Sequence, residues 1–121
     1  MKFCWITIHV KDLEDSIKFY HGLLGLEIVQ RFQAGEDTEI AFLGEIDKPK
    51  IELIQNNKSG KVAQATGLSI GLKVESLDKA MEYIKEHNIP IKSGPISPSP
   101  TTSFFFIEDP NGVVVQLVEQ K

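Results

Sequence analysis

Phe3-Cys4-Trp5-Ile6-Thr7-Ile8-His9-Val10 and Gly67-Leu68-Ser69-Ile70-Gly71-Leu72-Lys73-Val74 are two versions of one stretch, 64 residues apart. Apolar side chains recur at every second position in both, which is the period of a β-strand. Ile6, Ile8 and Val10 match Ile70, Leu72 and Val74, with Cys4 on the same face. Phe3, Trp5, Thr7 and His9 occupy the opposite face. Working outward at the same shift, Leu13 falls on Leu77, Ile17 on Met81, Tyr20 on Ile84, Phe42 on Phe106, Leu43 on Ile107, Ile51 on Val115, Leu53 on Leu117 and Ile54 on Val118. A unit this small buries too little surface to cover a sheet face alone, so the spacing reads as a duplicated module.

Each half repeats one order of elements. After the strand at 3–10, Asp12 is a candidate N-cap with Asp15 three residues on. Leu13, Ile17, Tyr20 and Leu24 then form a helical stripe that Gly25 can close in the left-handed region. Strands are predicted near 26–33, 38–44 and 50–56, separated by Gly35-Glu36-Asp37 and Asp47-Lys48-Pro49. The second half gives a strand at 67–74, Ser76 as N-cap, a helix with stripe Leu77, Met81 and Ile84 ending near Asn88 before Pro90, and strands near 90–93, 103–108 and 113–119. Asp109-Pro110-Asn111-Gly112 is the turn between the last two. The fold class is therefore α+β, with tandem βαβββ modules at 1–56 and 67–121 and a polar linker at 57–66. Lys92 to Thr102, with Pro95, Pro98 and Pro100 among serines, reads as a loop over a pocket, and Phe104-Phe105-Phe106 as a strand buried on both faces.

Composition excludes several classes of function. The chain has 121 residues, 41% hydrophobic and 25% charged, which suits one soluble globular domain. Net charge is −4 with acids and bases interleaved, so no basic stripe exists to neutralise a phosphate backbone, and nucleic acid is not an expected partner. The N-terminal residues lack the hydrophobic run of a signal peptide or membrane helix; a cytoplasmic location with no membrane partner is the expectation. The single cysteine, Cys4, rules out an intramolecular disulfide and a cysteine-based metal site. No Gly-rich phosphate loop or nucleophile elbow is present.

Ser16-Ile17-Lys18-Phe19-Tyr20 followed by Leu24-Gly25-Leu26, the Ile51-Glu52-Leu53 strand, and Phe106-Ile107-Glu108-Asp109-Pro110-Asn111-Gly112 before Gln116-Leu117 resemble the vicinal oxygen chelate superfamily. That group holds glyoxalase I, bleomycin-resistance proteins, fosfomycin-resistance enzymes and extradiol dioxygenases. The resemblance covers essentially the whole chain, and its motifs are specific for the fold rather than for a reaction. It implies that each module curls into half of a cupped mixed sheet, with helices outside and a small-molecule ligand on the concave face. It also implies a homodimer. In metal-dependent members, the first and last strands of each module supply the ligands, typically His or Gln, Glu, His and Glu. Matched residue by residue, these positions are Trp5, Glu52, Ser69 and Gln116, so one of the four is kept.

Nickel or zinc in a nitrogen and oxygen site needs three or more good donors to offset its dehydration. Trp5 has no lone pair to offer, Ser69 is a weak neutral ligand and Gln116 brings only an amide oxygen. No cofactor is expected, and a divalent ion at Glu52 is the alternative. Without an ion, the electrophile that polarises an oxyanion in the family's metal enzymes is missing.

The same face offers binding groups. Trp5, Thr7, His9, Glu52, Ser69, Phe106 and Gln116 are the candidate ligand-binding residues, with Trp5 as a flat wall suited to a planar ligand. The competing account has Trp5 filling the space of a missing ion. Glu52 and His9 are the candidate catalytic residues; a structural network of Glu52 with Gln116 or Ser69 stands against the first, and an ordinary satisfied histidine against the second. Phe42 and Phe106 either line the pocket or pack the core. His21 and His87 lie near helix ends, where a cation suits the helix dipole. Three readings follow: a metal-free binding protein of the bleomycin-resistance type for an apolar or aromatic molecule, a lyase or isomerase of the glyoxalase type using Glu52 with an atypical or absent metal, and a structural or regulatory module with a filled cup.

Overall fold

The computed structural model of the chain describes residues 1–58, 62 and 66–121, which divide into two compact units, Met1–Ala63 and Gln64–Lys121. Most of the linker expected at 57–66 lies outside the described residues. Among the described residues no helix is long and apolar enough to cross a membrane.

The first unit is β1 (Trp5–His9), α1 (Leu13–Ile17) with a π-helical continuation (Lys18–Leu23), β2 (Ile28–Gln33), β3 (Thr38–Leu43) and β4 (Lys50–Asn56). Its strands form one mixed sheet in the order β1-β4-β3-β2, with β1 parallel to β4 and the other pairs antiparallel. The inward face is the apolar set read from the alternation: Ile8, Val10, Ala41, Leu43, Ile51 and Leu53 are buried beneath Leu13, Ile17 and Tyr20 of the helix. Each large aliphatic side chain so covered contributes about 1.5–3 kcal/mol. Cys4, expected on this face, precedes β1 and is exposed, because the pairing that would cover it begins at Trp5.

The helix starts as expected. Asp12 Oδ1 accepts a hydrogen bond from the Asp15 amide at 3.1 Å, satisfying one of the orphan donors of the first turn. It then departs from the expected α-helix, for from Lys18 the bonding widens, with the Leu24 amide donating to the Phe19 carbonyl at 3.0 Å. The wider turn brings neighbours Phe19 and Tyr20 both into the core, edge to face at 5.0 Å, where a regular stripe would bury Tyr20 with Leu24. Gly25 ends it at φ +78°. Arg31 on β2 bonds Glu39 at 2.7 Å and also pairs with Glu14 of α1. The hydrogen bond that Arg31 donates to Glu39, then the one to Glu14, raises the guanidinium pKa above its ordinary value.

The second unit repeats the plan as β5 (Ser69–Lys73), α2 (Leu77–Glu86), β6 (Ser93–Ser99), β7 (Thr102–Glu108) and β8 (Val114–Gln120), in the sheet order β5-β8-β7-β6. Ser76 Oγ caps α2 by accepting from the Lys79 amide at 3.3 Å, and Asn88 ends the segment at φ 59°. Ile70, Phe105, Ile107, Val115 and Leu117 are buried with Leu77 and Ile84 of the helix. The turn Asp109 to Gly112 is held by the buried Asp109 carboxylate, whose Oδ1 accepts from the Asn111 amide at 2.7 Å and the Val113 amide at 2.8 Å.

Two expectations fail here. The sixth strand lies at Ser93–Ser99 rather than 90–93, within the segment expected to be a loop. Proline is compatible with it because β6 is an edge strand, paired only with β7 and through an interrupted register, so a missing N–H breaks no ladder bond on the open side. Phe104-Phe105-Phe106 is buried on one face only: Phe105 is fully buried, while Phe104 and Phe106 are partly exposed on the other. Three consecutive aromatics defeat an alternation count, although the strand still alternates in space.

Candidate functional site

In the first unit the sheet face away from the helix carries Trp5, Thr7 and His9 from β1, Lys50, Glu52 and Ile54 from β4, Ile40 and Phe42 from β3, and Gln30 and Phe32 from β2. The register explains their assembly. Thr7 stands opposite Glu52 and Trp5 opposite Lys50 across the parallel pair, while Phe42 is opposite Glu52 on one side and Gln30 on the other. One carboxylate is thereby flanked by a hydroxyl and a phenyl ring. The Thr7 hydroxyl donates to Glu52 Oε1 at 2.5 Å, and Glu52 is only 8% exposed. A buried carboxylate needs such a donor, since an unpaired charge away from water is costly.

Trp5 is 50% exposed and meets Phe42 edge to face with ring centroids 5.3 Å apart. Phe32 extends this aromatic surface, stacked with Phe42 at 6.5 Å. Phe42, for which core packing competed with pocket lining, is partly exposed on this face. His9 lies at the far end of β1, opposite Ile54 and exposed, beyond Thr7 as seen from Trp5.

The second unit has the equivalent positions with different chemistry. Gln116 Nε2 donates to Ser69 Oγ at 2.7 Å. Gly71 stands opposite Gln116, where the first unit sets Thr7 opposite Glu52, so this module offers no hydroxyl at that point. Phe106 is opposite Gln116 across the antiparallel pair and meets Phe104 edge to face at 5.4 Å. Of the network considered from sequence, Glu52 pairs with Thr7 of its own unit, and Gln116 and Ser69 with each other. His21 and His87 each donate a ring N–H to a backbone carbonyl, Leu26 at 2.7 Å and Tyr83 at 2.8 Å, as structural residues of helix ends do.

A pocket of about 460 Å³ lies in the first unit, where β1 starts and the segment before β4 returns. Trp5, Phe42 and Val29 give its apolar wall, and Lys2, Lys48 and Lys50 bring cations to it. The volume falls within the range of small-molecule sites. Sequence reasoning named Trp5 and Phe42 here but missed Gln30 and Lys50. The signal for Lys50 was available, since it shares strand parity with Glu52.

The divalent ion that the resemblance implies does not fit the donors present. In the first unit the indole of Trp5 offers no ligand, and Glu52 Oε1 already accepts from Thr7. In the second, Ser69 and Gln116 supply only neutral oxygens, and Ser69 Oγ already accepts from Gln116 Nε2. Among the described residues no three of His, Cys, Asp and Glu gather as a ligand cluster, and three or more good donors are the usual requirement.

Comparison with known proteins agrees with the topology. A family profile described as the Glyoxalase/Bleomycin resistance protein/Dioxygenase superfamily matches residues 2–117. A lactoylglutathione lyase of Escherichia coli O157:H7 is 31% identical over 128 residues, spanning 100% of this chain and 94% of that protein. A probable lactoylglutathione lyase of Synechocystis is 31% identical over 120 residues, spanning 93% of this chain and 90% of its own length. Among solved structures, the trypanothione-dependent glyoxalase I of Leishmania major superposes with a TM-score of 0.83 at 26% identity, covering 98% of this chain and 86% of that one. A glyoxalase family protein from Bacillus cereus has the same TM-score of 0.83 at 18% identity, covering 99% and 94%, a likeness of fold alone. The duplicated module, its sheet orders and these matches together make the chain a member of the glyoxalase/bleomycin resistance protein/dioxygenase superfamily.

Proposed function

We propose that this chain binds a small apolar or aromatic molecule against Trp5 and Phe42 of its first unit, without a metal ion. One observation carries the reading: a half-exposed indole, packed edge to face on Phe42, borders a pocket of about 460 Å³ at the position where metal-dependent relatives are expected to place an ion ligand. An aromatic wall beside open volume suits a planar guest, and a filled face would leave no such volume. Trp5 is the only tryptophan of the chain, so its emission reports directly on occupancy. Titration with a broad set of planar compounds should shift or quench that emission saturably; a Trp5 signal indifferent to all of them would sink the proposal.

A second reading is supported by the buried Glu52 with its short bond from Thr7. In it, Glu52 moves a proton on a substrate of the class that the related lyases act on. Turnover of lactoylglutathione, followed by its thioester absorbance with and without added nickel or zinc, tests it. Activity abolished by Glu52→Ala would favour this enzyme over the binding protein. A homodimer and a cytoplasmic location go with both readings. Among the described residues β1 and β2 are the edge strands of their sheet, which supports pairing between copies that sedimentation would measure.

A further inference from the structure

We infer that the pocket beside Trp5 selects a planar aromatic anion, with the ring on Trp5 and Phe42 and the anionic group on Lys50. This rests on the proposal that the first unit binds a small molecule, and it names the class of that molecule.

Lys50 is held by the returning segment before β4. Its Nζ donates to the Ile46 carbonyl at 2.6 Å and to the Lys48 carbonyl at 2.9 Å. An ammonium group has three N–H donors, so one remains after these two bonds, and the carbonyls fix where the charge stands. Most surface lysines lose rotamer freedom when they engage an anion, but this one is already ordered. It is also placed on the aromatic wall: Lys50 is the cross-strand partner of Trp5 in the parallel pairing of β1 and β4. A flat ring lying against the indole therefore brings a substituent toward Nζ.

The remaining charges point the same way. Lys2 adds a second ammonium to the lining, while Asp47 is its one acid. Lys48 is paired with Glu45 at 2.7 Å, a bond that raises the Lys48 pKa. That pair is nearly neutral as a unit, so Lys2 and Lys50 set against Asp47 leave one net positive charge on the lining. In a chain of net charge −4, a locally cationic rim around an apolar wall is a selective feature. Glu52 does not line this pocket, and its Oε1 is occupied by Thr7. The expected ligand thus leaves Glu52 to one side.

The experiment compares naphthoate with naphthamide, matched in shape and differing in charge, by isothermal titration calorimetry on the full chain. Naphthoate should bind roughly fivefold or more tighter than naphthamide, the scale of one charge-assisted hydrogen bond at a partly exposed site. That preference should shrink as salt is raised. Lys50→Gln, with its fold checked by circular dichroism, should bring naphthoate binding down to the level of naphthamide, and Lys50→Arg should retain the preference. Equal binding of both probes by the parent chain overturns the charge selection and leaves small-molecule binding standing. Preference that survives Lys50→Gln overturns the assignment to Lys50. Binding of neither probe, with no Trp5 response to any planar compound, overturns both proposals together.

Discussion

The Thr7 hydroxyl donates to Glu52 Oε1 at 2.5 Å across the parallel pairing of β1 with β4, joining two residues 45 positions apart. Glu52 is buried, so the bond is the polar anchor of an otherwise aromatic face. Thr7→Val keeps the shape and removes the donor, leaving a buried acceptor with less compensation. Urea denaturation at neutral pH should show a loss of about 1–3 kcal/mol. Glu52→Gln should cost less, because its amide oxygen still accepts from Thr7. A larger loss for Glu52→Gln than for Thr7→Val would mean that the charge, and not the hydrogen bond, governs this position.

Phe105 and Phe106 test which face of the second sheet is the core. Phe105 is fully buried, whereas Phe106 is partly exposed opposite Gln116. Phe105→Ala should cost about 3–5 kcal/mol through lost burial and the cavity left behind. Phe106→Ala should cost less than half of that, with no change in denaturant sensitivity. Similar losses at the two adjacent sites would restore the idea of a strand buried on both sides.

How far the sequence could be read follows from which signals are local. Ile6, Ile8, Val10 and their repeats alternate cleanly because one face of each sheet meets a helix, and this alone yields the module. Asp12, Ser76 and Gly25 were legible as caps since their chemistry is set by the adjoining backbone. The π-helical turn was not, because a stripe through Leu13, Ile17, Tyr20 and Leu24 suits an α-helix and nothing local reports that Phe19 also enters the core. Pro95 and Pro98 looked like a loop because the sequence does not disclose that β6 is an edge. At the site, strand parity placed Trp5, Thr7 and His9 on one face, and the resemblance brought Glu52 to it. The Thr7 bond and the Lys50 contacts depend on register across 45 residues and on the returning segment before β4, which no local pattern encodes.

Gly94 has little room around it. It sits at φ +102°, and a Cβ added there would come within 2.9 Å of Phe105 Cα and 3.0 Å of the Phe104 carbonyl oxygen. Backbone atoms of the neighbouring strand cannot yield as a flexible side chain does, so Gly94→Ala combines steric strain with an unfavourable φ. A cost above about 1–2 kcal/mol is expected. Gly25→Ala, at φ +78° with nothing within 4 Å, meets the φ term alone. Thermal melts of the two variants should rank Gly94→Ala as the less stable, and the reverse order would show that the approach to β7 is looser than described.

The donor chemistry at Trp5, Glu52, Ser69 and Gln116 leads to a prediction about metal content. Glu52 is the sole carboxylate among the four, and one of its oxygens accepts from Thr7. Gln116 Nε2 donates to Ser69 Oγ, and both residues offer only neutral oxygens. An ion in the first unit would have to exchange its hydration shell for one carboxylate, and one in the second for weak neutral oxygens, each short of the three or more good donors that hold zinc or nickel. Protein purified without chelator from medium supplied with both metals should therefore carry far less than a stoichiometric amount by elemental mass spectrometry. Its melting temperature should not move on adding a chelator, since an ion bound only to the native state would raise stability by mass action. Glu52→Gln gives the decisive comparison. If the parent chain held a stoichiometric ion and the variant lost it, the metal-free reading would fall, and Glu52 would be a ligand in a site completed by donors other than the four positions identified from the repeat.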